Sequence, residues 1–232
     1  MLVTPAAAFG DGSRQTATLS FSTTTPGAPA GLSFAADFHD PADPAAKPHA
    51  LTAFDIVLPP GTAIDFGAIP RCTASDAELQ LEGTAACPPA SRLATGTLIT
   101  DTGSPAGFPR YATNALSQFN GDHELITISD SVDPQGFRTV GRSPVTGTTI
   151  HNTIPPFPGA PPPEPLLAFR RMTLSGPPAG TGGRPWLRTP PTCPRAGVWT
   201  THMTFTYVDG VTQATTATSP CDARRPAARA AR

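Results

Sequence analysis

Asp101-Thr102-Gly103-Ser104, following the apolar pair Leu98-Ile99, is the segment with the clearest claim to chemistry. An Asp-Thr-Gly loop supplies one carboxylate of the pair that cleaves peptides in aspartic proteases. That reaction needs two carboxylates sharing one proton, because neither alone serves as both acid and base. The chain has one such loop, and Ile128-Ser129-Asp130-Ser131 is not a second. The same residues also make an ordinary turn, in which Asp bonds the backbone two residues on and Gly takes a positive φ. Asp101 is therefore expected at an exposed strand end, without a catalytic role.

Other reactive types are dispersed. The five histidines, His39, His49, His123, His151 and His202, come with no Gly-x-Ser-x-Gly elbow of the kind that presents a nucleophilic serine. Asp37, His39, Asp40 and Asp43 offer oxygens to a calcium ion, but not at the spacing of a known loop, so a plain acidic turn is the reading kept. No catalytic residue, metal site or cofactor is assigned. Trp186, Trp199, Tyr111 and Tyr207 could form a sugar-stacking platform or fill a core. Trp199 and Tyr207 share one strand face with Met203 and Phe205, which points to the core. Trp186, in Gly-Gly-Arg-Pro-Trp, lies off the regular pattern and is the candidate for exposure and ligand stacking.

Four cysteines form two local pairs, Cys72 with Cys87 and Cys193 with Cys221. They lack the Cys-x-x-Cys or Cys/His spacing of a zinc site. Two disulfides in an oxidising compartment are expected, the alternative being four buried thiols in the cytosol. The start, Met1-Leu2-Val3-Thr4-Pro5-Ala6-Ala7-Ala8, resembles the tail of a signal peptide without its charged region; residues 1–10 are read as that remnant or as disordered. No apolar run is long enough to span a bilayer as a helix.

The elements that must position these residues are short strands. The chain has 30 Pro, 21 Gly and 14 % charged residues. Pro and Gly punctuate strands, and Thr, Val, Ile and Phe between them suit a pleated surface. Alternation marks strands at 16–22, 31–38, 51–58, 92–100, 110–119, 123–129 and 166–174, with weaker ones at 137–141 and 147–154. A capping-box spacing, Ser75 to Glu78, predicts a short helix near 76–81 closed by Gly83. Asn120-Gly121 and Asp209-Gly210 are hairpin turns. In the second hairpin, Met203 and Phe205 are expected in the core and His202 in solvent, with a polar edge strand returning over 211–219. Residues 11–222 are read as one β domain, its two halves joined by the Pro-rich 155–165. The Arg/Ala tail 223–232 is read as disordered. A net charge of −1 gives no reason to expect a nucleic-acid partner, though the tail's arginines offer contact to an anionic polymer.

Pro26-Gly27-Ala28-Pro29-Ala30-Gly31-Leu32, Leu58-Pro59-Pro60-Gly61, Cys72 and Ala86-Cys87-Pro88-Pro89-Ala90-Ser91-Arg92-Leu93 resemble a group of uncharacterised secreted actinobacterial β-repeat proteins. Arg188-Thr189-Pro190-Pro191-Thr192-Cys193, Phe205-Thr206-Tyr207-Val208-Asp209-Gly210 and Cys221 resemble the same group's C-terminal half. The pattern departs at Leu93-Ala94-Thr95-Gly96, where the group's glycine is displaced. The resemblance implies an exported, disulfide-bonded β protein and no particular activity. The sequence thus predicts an all-β sandwich, immunoglobulin-like or jelly-roll, with one short helix and two disulfides. As to function, it predicts a secreted or cell-surface structural or binding module, with cell-wall polymer or glycan as candidate partner. The alternatives are a carbohydrate-binding module and a secreted hydrolase.

Overall fold

The computed structural model describes residues 12–103, 109–154 and 168–222. The readings given above to residues 1–10, Ser104, the Pro-rich 155–165 and the tail 223–232 lie outside the described residues. In chain order the strands are β1 (Gln15–Phe21), β2 (Leu32–Phe38), β3 (Leu51–Val57), β4 (Ala63–Ile64), β5 (Arg92–Asp101), β6 (Tyr111–Asn120), β7 (Glu124–Asp133), β8 (Gln135–Thr146), β9 (Thr149–Thr153), β10 (Ala168–Ser175), β11 (Gly180–Thr181), β12 (Arg184–Pro185), β13 (Leu187–Arg188), β14 (Val198–Tyr207) and β15 (Thr212–Pro220). Helix α1 spans Asp76–Glu82. No helix is long and apolar enough to cross a membrane.

Eleven strands form one sheet in the order β1-β2-β10-β5-β6-β7-β8-β9-β3-β14-β15, and each ladder in it is antiparallel. Strands from before and after residues 155–167 interleave in it. The sheet folds back on itself. Phe34 of β2 stacks on Phe54 of β3 at 6.1 Å, and Phe54 on Phe205 of β14 at 5.7 Å, while Phe205 meets Phe38 of β2 edge-on at 5.9 Å. Strands far apart in the ladder order thus bury one shared core, the residues at every second position pointing inward. The two sheet edges are joined by side chains. Ser219 Oγ donates to Leu19 O at 3.3 Å and accepts from Phe21 N at 3.2 Å. At the other end of the same edges, Gln213 Oε1 accepts from Arg14 N at 2.9 Å.

The second hairpin follows its alternation. Trp199, Met203, Phe205 and Tyr207 are buried and His202 is exposed. The outer face of β14 and β15 carries Thr200, Thr204, Thr206, Thr212, Thr216 and Thr218, hydroxyls suited to a wet sheet face. Cys193–Cys221 ties the open end of this hairpin, its Cα atoms 5.6 Å apart. Cys72–Cys87, at 4.8 Å, brackets α1. Ser75 caps α1 in the expected box with Glu78. Its buried Leu79 packs with the disulfide on Phe119, Ile126 and Ile128, a second small core on the outer side of β6 and β7. Arg142 straps the helix to the sheet, donating to Asp76 at 2.6 Å, to Ala74 O at 2.8 Å and to Glu124 at 2.5 Å.

The weak strand expected over 137–141 is longer: β8 is a continuous strand of 12 residues that runs through Gly141 and Pro144. Its partners on β7 hold it, Arg138 to Pro144 pairing with Asp130 to Glu124. Pro144 sits at the end of that ladder, where a missing N–H is tolerated. The two-residue strands β4, β11, β12 and β13 have no counterpart in the sequence reading.

A candidate cavity between two parted strands

The strand β8 leaves β9 almost at once. Their ladder is two residues long, Val145↔Ile150 and Thr146↔Thr149. Beyond it β8 stays with β7, while His151 to Thr153 of β9 stay with β3. The wedge is bridged by Ser143 Oγ donating to Asn152 Oδ1 at 2.9 Å, and Asn152 Nδ2 donates to Phe54 O at 3.0 Å. Behind the wedge lies a lobe of about 80 Å³, and next to it a second of about 80 Å³ that shares Phe54, Thr127, Asn152 and Met172.

The two walls differ in chemistry. One is apolar, with Phe54, Leu98, Leu116, Phe169 and Met172. The other presents Thr127 and Ser129 of β7 with Thr139, Gly141 and Ser143 of β8. Strand alternation aims these small residues inward, and their short side chains leave the space unfilled. Thr127 Oγ1 accepts from Gln118 Nε2 at 3.3 Å and keeps its own proton. The Ser129 and Thr139 hydroxyls make no hydrogen bond to another described residue, and neither is sealed from solvent. Thr127, Thr139 and Gly141 are half-buried, so the hydroxyl wall reaches toward solvent. Among the described residues, no charged side chain lines either lobe. The arrangement can hold an uncharged molecule and hydrogen-bond one end of it.

Asp101 is not at an exposed strand end: its side chain is fully buried. Oδ1 accepts from Gly103 N at 2.9 Å, the Asx turn expected of this sequence. Oδ2 takes Arg170 at 3.0 Å and Arg110 at 3.3 Å. The two guanidiniums also bond the carbonyls of Ala45 and, from Arg170, of Pro44 and Ala46. The carboxylate thus clamps the 40–48 loop onto β5, β6 and β10. Burial comes from charge pairing, which the local sequence does not display.

Trp186 is likewise buried, at 6 % exposure, where exposure was expected. Its ring meets Phe66 edge-on at 6.0 Å, and Nε1 donates to Asn120 Oδ1 at 2.9 Å. Asn120 Nδ2 in turn donates to the carbonyls of Phe66 and Pro70, both at 3.1 Å. Trp186 lines the first lobe as wall rather than presenting a stacking face to solvent. Of the four Trp and Tyr side chains, Tyr111 is the exposed one, and Arg110 lies over its ring at 5.2 Å.

Of the remaining candidates, His49 lies between Asp40 at 3.8 Å and Asp209 at 3.5 Å, and the others are dispersed. Asp37 pairs with Arg171 at 2.6 Å on the outer face, while Asp40 and Asp43 accept from Ala42 N and Ala45 N in Asx turns. Among the described residues no group of three or more His, Cys, Asp or Glu could hold a metal ion. His151 pairs with Asp55 at 3.0 Å on a wet face, and His123 stacks near Phe66 at 5.2 Å. A surface depression beside His123 has its charges spent in Arg71–Asp122 at 2.6 Å and Arg184–Asp65 at 2.7 Å. The cavity residues gave no signal in the sequence beyond Ser, Thr and Gly at inward strand positions. Comparison of the chain with protein-family models, with curated proteins and with solved structures found no match.

Proposed function

We propose that this protein is a secreted or cell-surface binding module, not an enzyme, and that its ligand occupies the cavity behind the parted strands β8 and β9. The observation that carries the reading is the unlike pair of walls, hydroxyls facing hydrocarbon across a space that runs from solvent at β8 toward the main core. Export is supported by two disulfides, which persist in oxidising compartments. The hydrolase reading is weakened because Asp101 is committed to two arginines. The glycan-platform reading is weakened because Trp186, Trp199 and Tyr207 are buried. Thermal melts of the oxidised protein against small uncharged organic molecules and against soluble glycans test the choice. Saturable stabilisation by the small molecules is expected. Stabilisation by a glycan alone overturns the cavity reading.

A further inference from the structure

Gly141 is the residue that singles out the cavity. Glycine inside a strand weakens it, and the usual reason for keeping one is close approach of another backbone. Gly96 and Gly176 have that reason: a Cβ there would lie 1.8 Å from Thr173 O and 1.9 Å from Leu93 O. Gly141 does not. Its φ is not in the left-handed region, and a Cβ would meet a single atom within 4 Å, Thr127 O at 3.9 Å. What the missing side chain leaves is room in the lobe it lines.

We infer that the cavity takes a small neutral amphiphile, an apolar body with one hydroxyl-like end, and that Gly141 sets the size admitted. This rests on the binding reading above. An apolar cavity of about 150 Å³ holds benzene; each lobe here is about 80 Å³ and the two share four lining residues, so a ligand of that size must reach from one into the other. The apolar body lies against Phe54, Met172 and Phe169. The polar end meets Ser129 and Thr139, whose hydroxyls are without protein partners among the described residues. An anion is disfavoured because no cation among the described residues lines the cavity and burying an unpaired carboxylate is costly. A pure hydrocarbon is disfavoured because it leaves those hydroxyls facing it unbonded.

The test titrates the oxidised protein with 1-hexanol, hexanoate and benzene. The readouts are melting temperature and the emission of Trp186, isolated by Trp199→Phe. Saturable binding of 1-hexanol is expected, with hexanoate and benzene weaker by about tenfold or more, or about 1.4 kcal/mol. Gly141→Leu should melt no lower than the wild type and lose the 1-hexanol response. Thr139→Val should weaken 1-hexanol and leave benzene unchanged, and this variant decides the matter if Gly141→Leu fails to fold. If none of the three molecules binds the wild type, the cavity reading itself falls. If hexanoate or benzene binds as well as 1-hexanol, or if both variants keep the wild-type response, the cavity binds but the ligand class and the role of Gly141 are wrong.

Discussion

Asp101 shows how much a single buried charge can organise. Its carboxylate pairs with both Arg170 and Arg110 and, through them, holds three carbonyls of the 40–48 loop. Removing one partner of a buried pair leaves the other uncompensated, which is worse than never having had the pair. Asp101→Ala should therefore destabilise by about 3 kcal/mol, the low end of that range because Arg110 is partly exposed. Urea midpoints of the two proteins measure it, and a difference under about 1 kcal/mol would make the clamp a surface ornament. Tyr207 carries a pH prediction. Burial pushes its phenol well above the usual range, with Arg14 opposing and Asp209 adding. Arg14, hydrogen-bonded to Asp209, holds that carboxyl down at about 2, so Asp209 stays ionised throughout the alkaline range. The folded chain then keeps a phenolic proton that the unfolded chain releases above about pH 10. Stability from this group is complete below that pH and falls as pH rises. The urea midpoint should drop more steeply between about pH 9 and about pH 11 in the wild type than in Tyr207→Phe; parallel profiles would exclude it.

At the scale of the element, β14 gives the sharpest check of strand register. Phe205 is fully buried against Phe54 and Phe38, so Phe205→Ala should cost about 3–5 kcal/mol. His202, three residues away on the opposite face, faces solvent opposite Val57 and Thr216, so His202→Ala should stay within about 0.5 kcal/mol. Thermal melts of the pair measure both. The reverse order would mean a register shifted by one residue, which moves every side chain to the other face. The Asn120-Gly121 hairpin shows a subtler outcome. The turn falls where the dipeptide predicts, but its left-handed residue is His123 at φ 56°, and Asn120 itself is buried in β6. Its side chain is taken by Trp186 and the Phe66 and Pro70 carbonyls, a tertiary demand that overrides turn propensity.

Across the whole molecule, the two edges of one long sheet meet in a seam. β1 and β15 are joined by side-chain bonds, and Cys193–Cys221 sits at the end of that seam. Its sequence separation is 28, against 15 for Cys72–Cys87. In the chain-entropy model these closures contribute about 3.6 and about 3 kcal/mol. Replacing each pair by Ala in turn should lower the urea midpoint in both cases, with the 193–221 variant at least as strongly affected. An unchanged midpoint in either variant would show that packing alone holds that region. The same topology places the cavity. A sheet that bends back on itself must part somewhere if a strand turns from one half to the other, and here it parts between β8 and β9.

The sequence by itself determined the longer strands other than the full extent of β8, the capped helix, the hairpins and both cysteine pairings. Each of these depends on residues near one another in the chain, where alternation, capping and turn chemistry act directly. The pairing needed no more than short closures bracketing a helix and a hairpin. Tertiary structure alone decided the burial of Asp101 and Trp186: Arg110 lies nine residues from Asp101, but Arg170 and Asn120, the partners that complete each site, lie 69 and 66 residues away. It alone decided the cavity too. Thr127, Ser129, Thr139, Gly141 and Asn152 are unremarked in the chain, and they become a wall when β7, β8 and β9 bring their inward faces around one space.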